Sequence, residues 1–172
     1  SGTTKAFTNS MQAFSSEWTL GTGKSVSWPS GLGAKGNSGV AALIQNRVGA
    51  IGYVNQSYIR GAVKAAALQN KSGQFLLPSV NSGATALNGI KLDANLAGVN
   101  PNPSAEGAYP IATLTWVLAY KSGNGSNTQA LRDVFNYMLS SQAQNAAPSL
   151  GFVPLKGDIL AKARAAVAMV GQ

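Results

Sequence analysis

Trp28-Pro29-Ser30-Gly31-Leu32-Gly33-Ala34-Lys35-Gly36-Asn37-Ser38-Gly39-Val40-Ala41, followed by Gly49-Ala50-Ile51-Gly52-Tyr53-Val54, is the stretch whose reading decides the fold. Pro29 and the glycines at 31, 33 and 36 break any regular element, so Pro29 to Gly36 reads as a loop. Asn37 or Ser38 then suits the N-cap of a helix that carries Val40, Leu43, Ile44 and Arg47 and ends at Gly49. Ala50 to Val54 reads as a strand. The loop matches the dinucleotide pattern G-x-G-x-x-G, but it follows Trp-Pro rather than a core strand, and no acidic residue waits near twenty positions on. Gly31 to Ser38 is also close to a P-loop, with Asn37 where the phosphate-reaching lysine would stand. A tight backbone path that needs positive φ is the better account. The loop is therefore expected to position the Asn37 helix and not to bind nucleotide.

Upstream, Thr3 or Thr4 is the expected cap of a helix with Phe7, Met11 and Phe14 at i, i+4 and i+7. A short strand is expected from Val26 to Trp28, and a short helical turn from Ser57 to Arg60. Val63 to Leu68 and Phe75 to Leu77 read as strands joined by the turn Asn70-Lys71-Ser72-Gly73. Pro78-Ser79 opens a helix to about Asn88, and Asp93 to Gly107 is a long loop. Ile111 to Tyr120 is a continuous apolar and β-branched run, expected as a buried strand covered on both faces. After the turn Ser122 to Ser126, Thr128 to Gln144 is amphipathic, with Leu131, Val134, Phe135, Met138 and Leu139 on one face. Asp158 is expected to cap a last helix reaching about Val170. Helices alternate with short strands and no repeat is visible, which reads as α/β.

The 172 residues are 45% hydrophobic, enough for a real core, but only 10% charged. Thirteen Lys and Arg against five acidic residues give a net charge of +8. These cations are scattered, with no basic run or aromatic interleaving, so the surface suits small anions and no nucleic-acid partner is expected. The chain contains no Cys and no His, which removes disulfides, thiolate sites and the commonest general base. Glu17, Asp93, Glu106, Asp133 and Asp158 are too widely spaced to suggest a catalytic pair. Trp18, Trp28 and Trp116 read as core residues rather than a ligand platform. No catalytic residue, metal site or cofactor is expected, and the chain does not read as an enzyme.

Ser1-Gly2-Thr3 carries the sharpest expectation. Free amides at a helix start converge on a point where the helix dipole favours an anion, and the Ser1 and Thr3 hydroxyls add donors. With Ser1-Gly2-Thr3-Thr4, the Trp-Pro…Gly-Asn-x-Gly-Val-Ala segment, Gly-x-Ile-Gly-Tyr-Val and Tyr109-Pro110-Ile111 in that order, the whole chain resembles the periplasmic phosphate-binding protein of the bacterial ABC phosphate transporter. The resemblance implies that Ser1, Gly2 and Thr3 are phosphate ligands. It also implies an Arg and an Asp just before this turn, and further ligands in an N-terminal half domain; these lie outside the chain. The arginine would supply forked, charge-assisted bonds, and the aspartate would accept the proton that distinguishes hydrogen phosphate from sulfate.

The fold implied is α/β and type II-like: two α/β lobes joined by a hinge, with the ligand in the cleft and the first lobe incomplete in this chain. Residues 1–108 would form the second lobe with the phosphate turn, and 109–172 the C-terminal part of the first. The function implied is extracytoplasmic, periplasmic or cell-surface capture of inorganic phosphate and its delivery to the membrane subunits of an ABC permease. A missing N-terminal polypeptide would complete the first lobe. A surface or filament protein built on the same fold is the alternative, since low charge and many Asn, Ser and Gly suit dense packing.

Overall fold

The turn at Asn70–Gly73 folds as its residue types require. Gly73 adopts φ +86°, and the Asn70 Oδ1 accepts from the amides of Ser72 (3.1 Å) and Gln74 (2.9 Å). The turn joins β1 (Leu68–Gln69) to β2 (Phe75–Leu76), antiparallel, with Leu68 opposite Leu76 and Gln69 opposite Phe75. The buried Asn70 side chain also donates to the Ala108 carbonyl at 3.2 Å and so ties the hairpin to the chain ahead of Tyr109.

This is a computed structural model that describes residues 1–172. In chain order, α1 (Gly2–Phe14) and α2 (Gly36–Gln45) precede a 3₁₀ turn at Gln56–Tyr58 and the β1–β2 hairpin. Next come α3 (Val80–Asn88), a 3₁₀ turn at Gly125–Asn127, α4 (Thr128–Met138), α5 (Ser141–Ala146), a 3₁₀ turn at Ala147–Leu150 and α6 (Gly157–Ala168). The fold is thus largely helical, with a single two-stranded ladder.

The expected strands differ from the structure in a consistent way. Only the hairpin closes a ladder; Val26–Trp28, Ala50–Val54, Val63–Ala67 and Ile111–Tyr120 are not strands. Their residue types favour extended backbone, but a strand also needs a hydrogen-bonding neighbour, and none of the four lies beside one. Ile111–Tyr120 is not buried as expected either: Leu118 is 94% exposed. Its tryptophan is held by one anchor, as the Trp116 indole N–H donates to the Leu96 carbonyl at 2.6 Å.

Helix ends follow local chemistry with some shifts. Ser79 caps α3 through a full capping box, its side chain accepting from the Ser82 amide (3.0 Å) while the Ser82 hydroxyl accepts from the Ser79 amide (3.0 Å). The expected helix 128–144 is two helices, because Ser140 accepts from the Ala143 amide at 3.2 Å and starts α5 afresh. Asp158 does not cap α6; Lys156 holds that position, and Asp158 sits in the first turn, paired with Lys162 at 3.0 Å. Two arginines join α4 to α6. Arg132 of α4 donates to the Ala168 carbonyl at the end of α6 (3.1 Å), and Arg164 of α6 donates through Nε (3.2 Å) and Nη2 (2.7 Å) to Leu139 at the end of α4. Each cation thereby meets carbonyls left free at a helix C-terminus.

The buried apolar residues are Val63, then Ala86 and Leu87 of α3, Ile90 just past it, Ala108, and Val167 and Val170 at the end of α6. Only 14 of 172 residues are buried, so the apolar faces of several elements stay open, including Val134 and Met138 on the face of α4 expected to be covered.

Ser79→Ala should destabilise the fold by about 1 kcal/mol through loss of the capping box. Thermal melts followed by circular dichroism should show Tm lower by roughly 2–4 °C.

Candidate functional site

Ser1 opens α1 by capping it: its Oγ accepts from the Thr4 amide at 3.0 Å and lies 2.8 Å from the Thr4 hydroxyl. The expected cap, Thr3 or Thr4, is therefore two or three residues too late. The helix starts early because a serine at position 1 reaches the amide at position 4, leaving Thr3 and Thr4 inside the first turn. The amides of Gly2 and Thr3 lie in that first turn, where no intrahelical carbonyl can reach them. A Cβ placed on Gly2 would meet nothing within 4 Å, so the space beside it is open. The Ser1 amino nitrogen donates to the Lys24 carbonyl, which folds the 21–25 segment against the helix start.

A second layer of residues fixes this turn. The Thr4 hydroxyl is 2.9 Å from the Tyr53 hydroxyl, and Thr3 Oγ1 donates to Asn55 Oδ1 at 3.1 Å. The Asn55 amide in turn donates to Asn37 Oδ1 at 2.9 Å. Thr3, Asn55 and Asn37 thus form a chain of hydrogen bonds from the start of α1 to the start of α2. One turn further along α1, Phe7 stacks on Tyr53, with ring centroids 4.3 Å apart and planes 11° apart. Trp18 meets Phe7 edge-on at 6.3 Å, and Trp28 lies 5.9 Å from Trp18. These rings hold α1, the Trp28 segment and the 50–54 segment together. Trp28 (44% exposed) and Trp116 (41% exposed) are nonetheless surface residues rather than core.

The glycine-rich loop takes the tight backbone path expected of it. Gly31 (φ +108°) and Gly36 (φ +67°) take backbone conformations that favour glycine. Neither Asn37 nor Ser38 caps α2: the helix begins at Gly36, and Lys35 occupies the cap position with no side-chain bond. Asn37 fails to cap because its oxygen is already engaged by the Asn55 amide.

The structure brings together Ser1, Gly2 and Thr3, and adds Thr4, Tyr53, Asn55 and Asn37, none of which the sequence placed as a partner of this turn. The signal for Tyr53 was present in Gly-x-Ile-Gly-Tyr-Val; Asn55, one residue past that motif, had none. The Gly2 and Thr3 amides and the Ser1 and Thr3 hydroxyls are neutral donors of the kind that suits an oxyanion. Thr3 spends its proton on Asn55 here, so donating it to an anion requires the hydroxyl to turn away. No three His, Cys, Asp or Glu side chains come together as a metal site would need. No helix is long and apolar enough to cross a membrane.

A PBP superfamily domain matches residues 1–142. The chain belongs to the PBP superfamily. Among similar proteins, the phosphate-binding protein PstS of Pasteurella multocida is 36% identical over 171 residues, which cover 96% of this chain and 49% of that protein. The phosphate-binding protein PstS of Xylella fastidiosa is 37% identical over 168 residues, covering 93% and 45%. That of Methanocaldococcus jannaschii is 29% identical over 186 residues, covering 92% and 46%. The chain spans about half the length of the curated relatives it matches. The PBP superfamily match takes in α1, the glycine-rich loop and α2 together, so the Thr3–Asn55–Asn37 chain lies within it.

Asn37→Ala should cost about 1 kcal/mol, the worth of one hydrogen bond at an exposed position where water replaces the lost acceptor. Denaturant titration should report the lower midpoint. Titration of ATP and NAD should show no saturable micromolar binding, because Asn37 stands where a lysine would reach a phosphate.

Proposed function

We propose that this chain is part of an extracytoplasmic solute-binding protein that captures inorganic phosphate at the start of α1 and delivers it to an ABC permease, without chemistry. The observation that carries the reading is the turn Ser1-Gly2-Thr3, where two free amides, two hydroxyls and an open space beside Gly2 meet at the positive end of a 13-residue helix. Similarity to several phosphate-binding proteins over nearly the whole chain supports phosphate as the anion. Phosphate would be bound by the Gly2 and Thr3 amides and by the Ser1 and Thr3 hydroxyls. Gly2 lets an oxygen approach its amide closely, and the Tyr53 stack keeps the turn from shifting.

On this reading residues 1–108 form one lobe, and 109–172 the closing part of the other, with the phosphate in the cleft between them. A further polypeptide segment completes the second of these pieces. Its need is supported by Ile111–Tyr120, an apolar run without a ladder partner and with Leu118 exposed, and by the doubled length of the relatives. Such a segment would pair with this run, cover its faces, and supply the charged ligands that the turn lacks.

In a protein spanning the relatives' full length, Thr3→Val should lower phosphate affinity about tenfold or more, since a hydrogen bond to a charged group is worth roughly 1.5–3 kcal/mol. Lys71→Ala, on the exposed hairpin turn, should leave it nearly unchanged. Isothermal calorimetry separates the two, and equal losses would place the site elsewhere. The 172-residue chain by itself should bind phosphate poorly; submicromolar affinity for it alone would contradict the need for further ligands.

A further inference from the structure

The two hydroxyls at the start of α1 differ in what their partners can give back. Ser1 Oγ accepts from the Thr4 amide and lies beside the Thr4 hydroxyl, a group that can donate or accept. Ser1 can therefore turn its proton toward a ligand without losing a partner. Thr3 Oγ1 has one side-chain partner, Asn55 Oδ1 at 3.1 Å, and that oxygen can only accept. A hydroxyl carries a single proton, so if Thr3 gives it to an anion, two acceptor oxygens are left facing each other.

Asn55 is built to resolve that conflict. Its backbone is held at both ends: the amide donates to Asn37 Oδ1 at 2.9 Å, and the carbonyl accepts from the Tyr58 amide at 2.9 Å. Its side chain is free of this frame, since Nδ2 donates to no group of the chain and the Thr3 bond is the only one it makes. The oxygen and nitrogen of a carboxamide are close in size, and the torsion that exchanges them has two broad wells. Half a turn about that bond puts a donor where the acceptor stood, with no movement of the backbone.

We propose that Asn55 is a positioning residue of the phosphate turn: its side-chain amide turns over when the anion binds, so that Nδ2 donates to Thr3 Oγ1 and the Thr3 proton is directed at the anion. The inference rests on the phosphate reading above and gives Asn55 a part in it without contact with the anion. A hydroxyl that accepts one hydrogen bond becomes a better donor of the next. Thr3 gives up Asn55 as an acceptor and regains it as a donor, and one side chain orients the hydroxyl in both arrangements. The frame that holds Asn55 in reach comes from Asn37, so the two helix starts meet in this single rotatable group.

The test is a double-mutant cycle on phosphate affinity, measured by isothermal calorimetry in a protein spanning the relatives' full length. Asn55→Ala should weaken binding about fivefold, the worth of one neutral hydrogen bond. In a Thr3→Val background the same change should alter affinity by less than about twofold, and in a Thr3→Ser background, which keeps the hydroxyl, the loss should return. A second readout leaves Asn55 intact: in isotope-labelled protein its side-chain amide resonances should shift on saturation with phosphate, and should stay in place in Thr3→Val. Equal losses for Asn55→Ala with and without the Thr3 hydroxyl, no loss in either, or Asn55 amide resonances that phosphate leaves unmoved would overturn the inference while keeping Thr3 as a ligand. Undiminished binding in Thr3→Val alone would overturn the phosphate reading itself, and this inference with it.

Discussion

Phe7 lies nearly flat on Tyr53, and the Tyr53 hydroxyl reaches the Thr4 hydroxyl at 2.9 Å. These two contacts use one residue to fix both the body of α1 and its first turn. A helix start offers free amides wherever it occurs, but amides become a site only when their direction is held against thermal motion. The stack supplies contact area and the hydroxyl pair supplies register. Without Tyr53 the start of α1 would be tied down only by the Thr3–Asn55 bond and the Ser1–Lys24 contact, both at the exposed surface. Trp18 and Trp28 brace the same pair of rings from the side, so an aromatic cluster outside the main core sets the geometry of the turn.

The same dependence explains the composition of the glycine-rich segment. Its glycines let the chain turn sharply before α2, which brings Asn37 under the Asn55 amide. Asn55 then serves two directions at once, its backbone toward α2 and its side chain toward Thr3. Asn37, just past the glycine-rich segment, thus links the start of α2 through Asn55 to the start of α1.

How far this was legible in the residues follows from the range of each interaction. The helices were readable because caps and apolar periodicity act within one or two turns; the helix expected from Pro78-Ser79 to about Asn88 runs from Val80 to Asn88 behind its Ser79 cap. Cap assignments failed where a side chain had a distant alternative. Asn37 has the right chemistry to cap α2, and a residue eighteen positions on claims its oxygen. The strands failed for the same reason on a larger scale. Ile111–Tyr120 has every local property of a buried strand, yet pairing is a property of two segments, and the run lies beside none. Ser1-Gly2-Thr3 was legible as part of a helix start because capping is local, although the cap was expected at Thr3 or Thr4; its role as a phosphate turn came from the family resemblance. The parts of Thr4, Tyr53 and Asn55 were not legible, because their roles depend on contacts some fifty residues apart in the chain.

Magnitudes bear on what the turn can do by itself. Hydrogen bonds to a charged group are worth roughly 1.5–3 kcal/mol each, so three or four neutral donors provide on the order of 5–10 kcal/mol before any cost. Association of a free ligand costs an estimated 4–15 kcal/mol in lost freedom, with desolvation in addition. Micromolar binding requires a surplus of about 8 kcal/mol. Thr3 must also release Asn55 before it can donate, which removes part of its contribution. The dispersed charge of +8 helps an anion approach but is screened over roughly 8–10 Å at ordinary salt, so it adds little once the ligand is seated. On the proposed reading, the turn would therefore act as a positioning element for the phosphate rather than as its main source of affinity. On that reading, tight binding would draw on forked, charged partners contributed by another part of the protein.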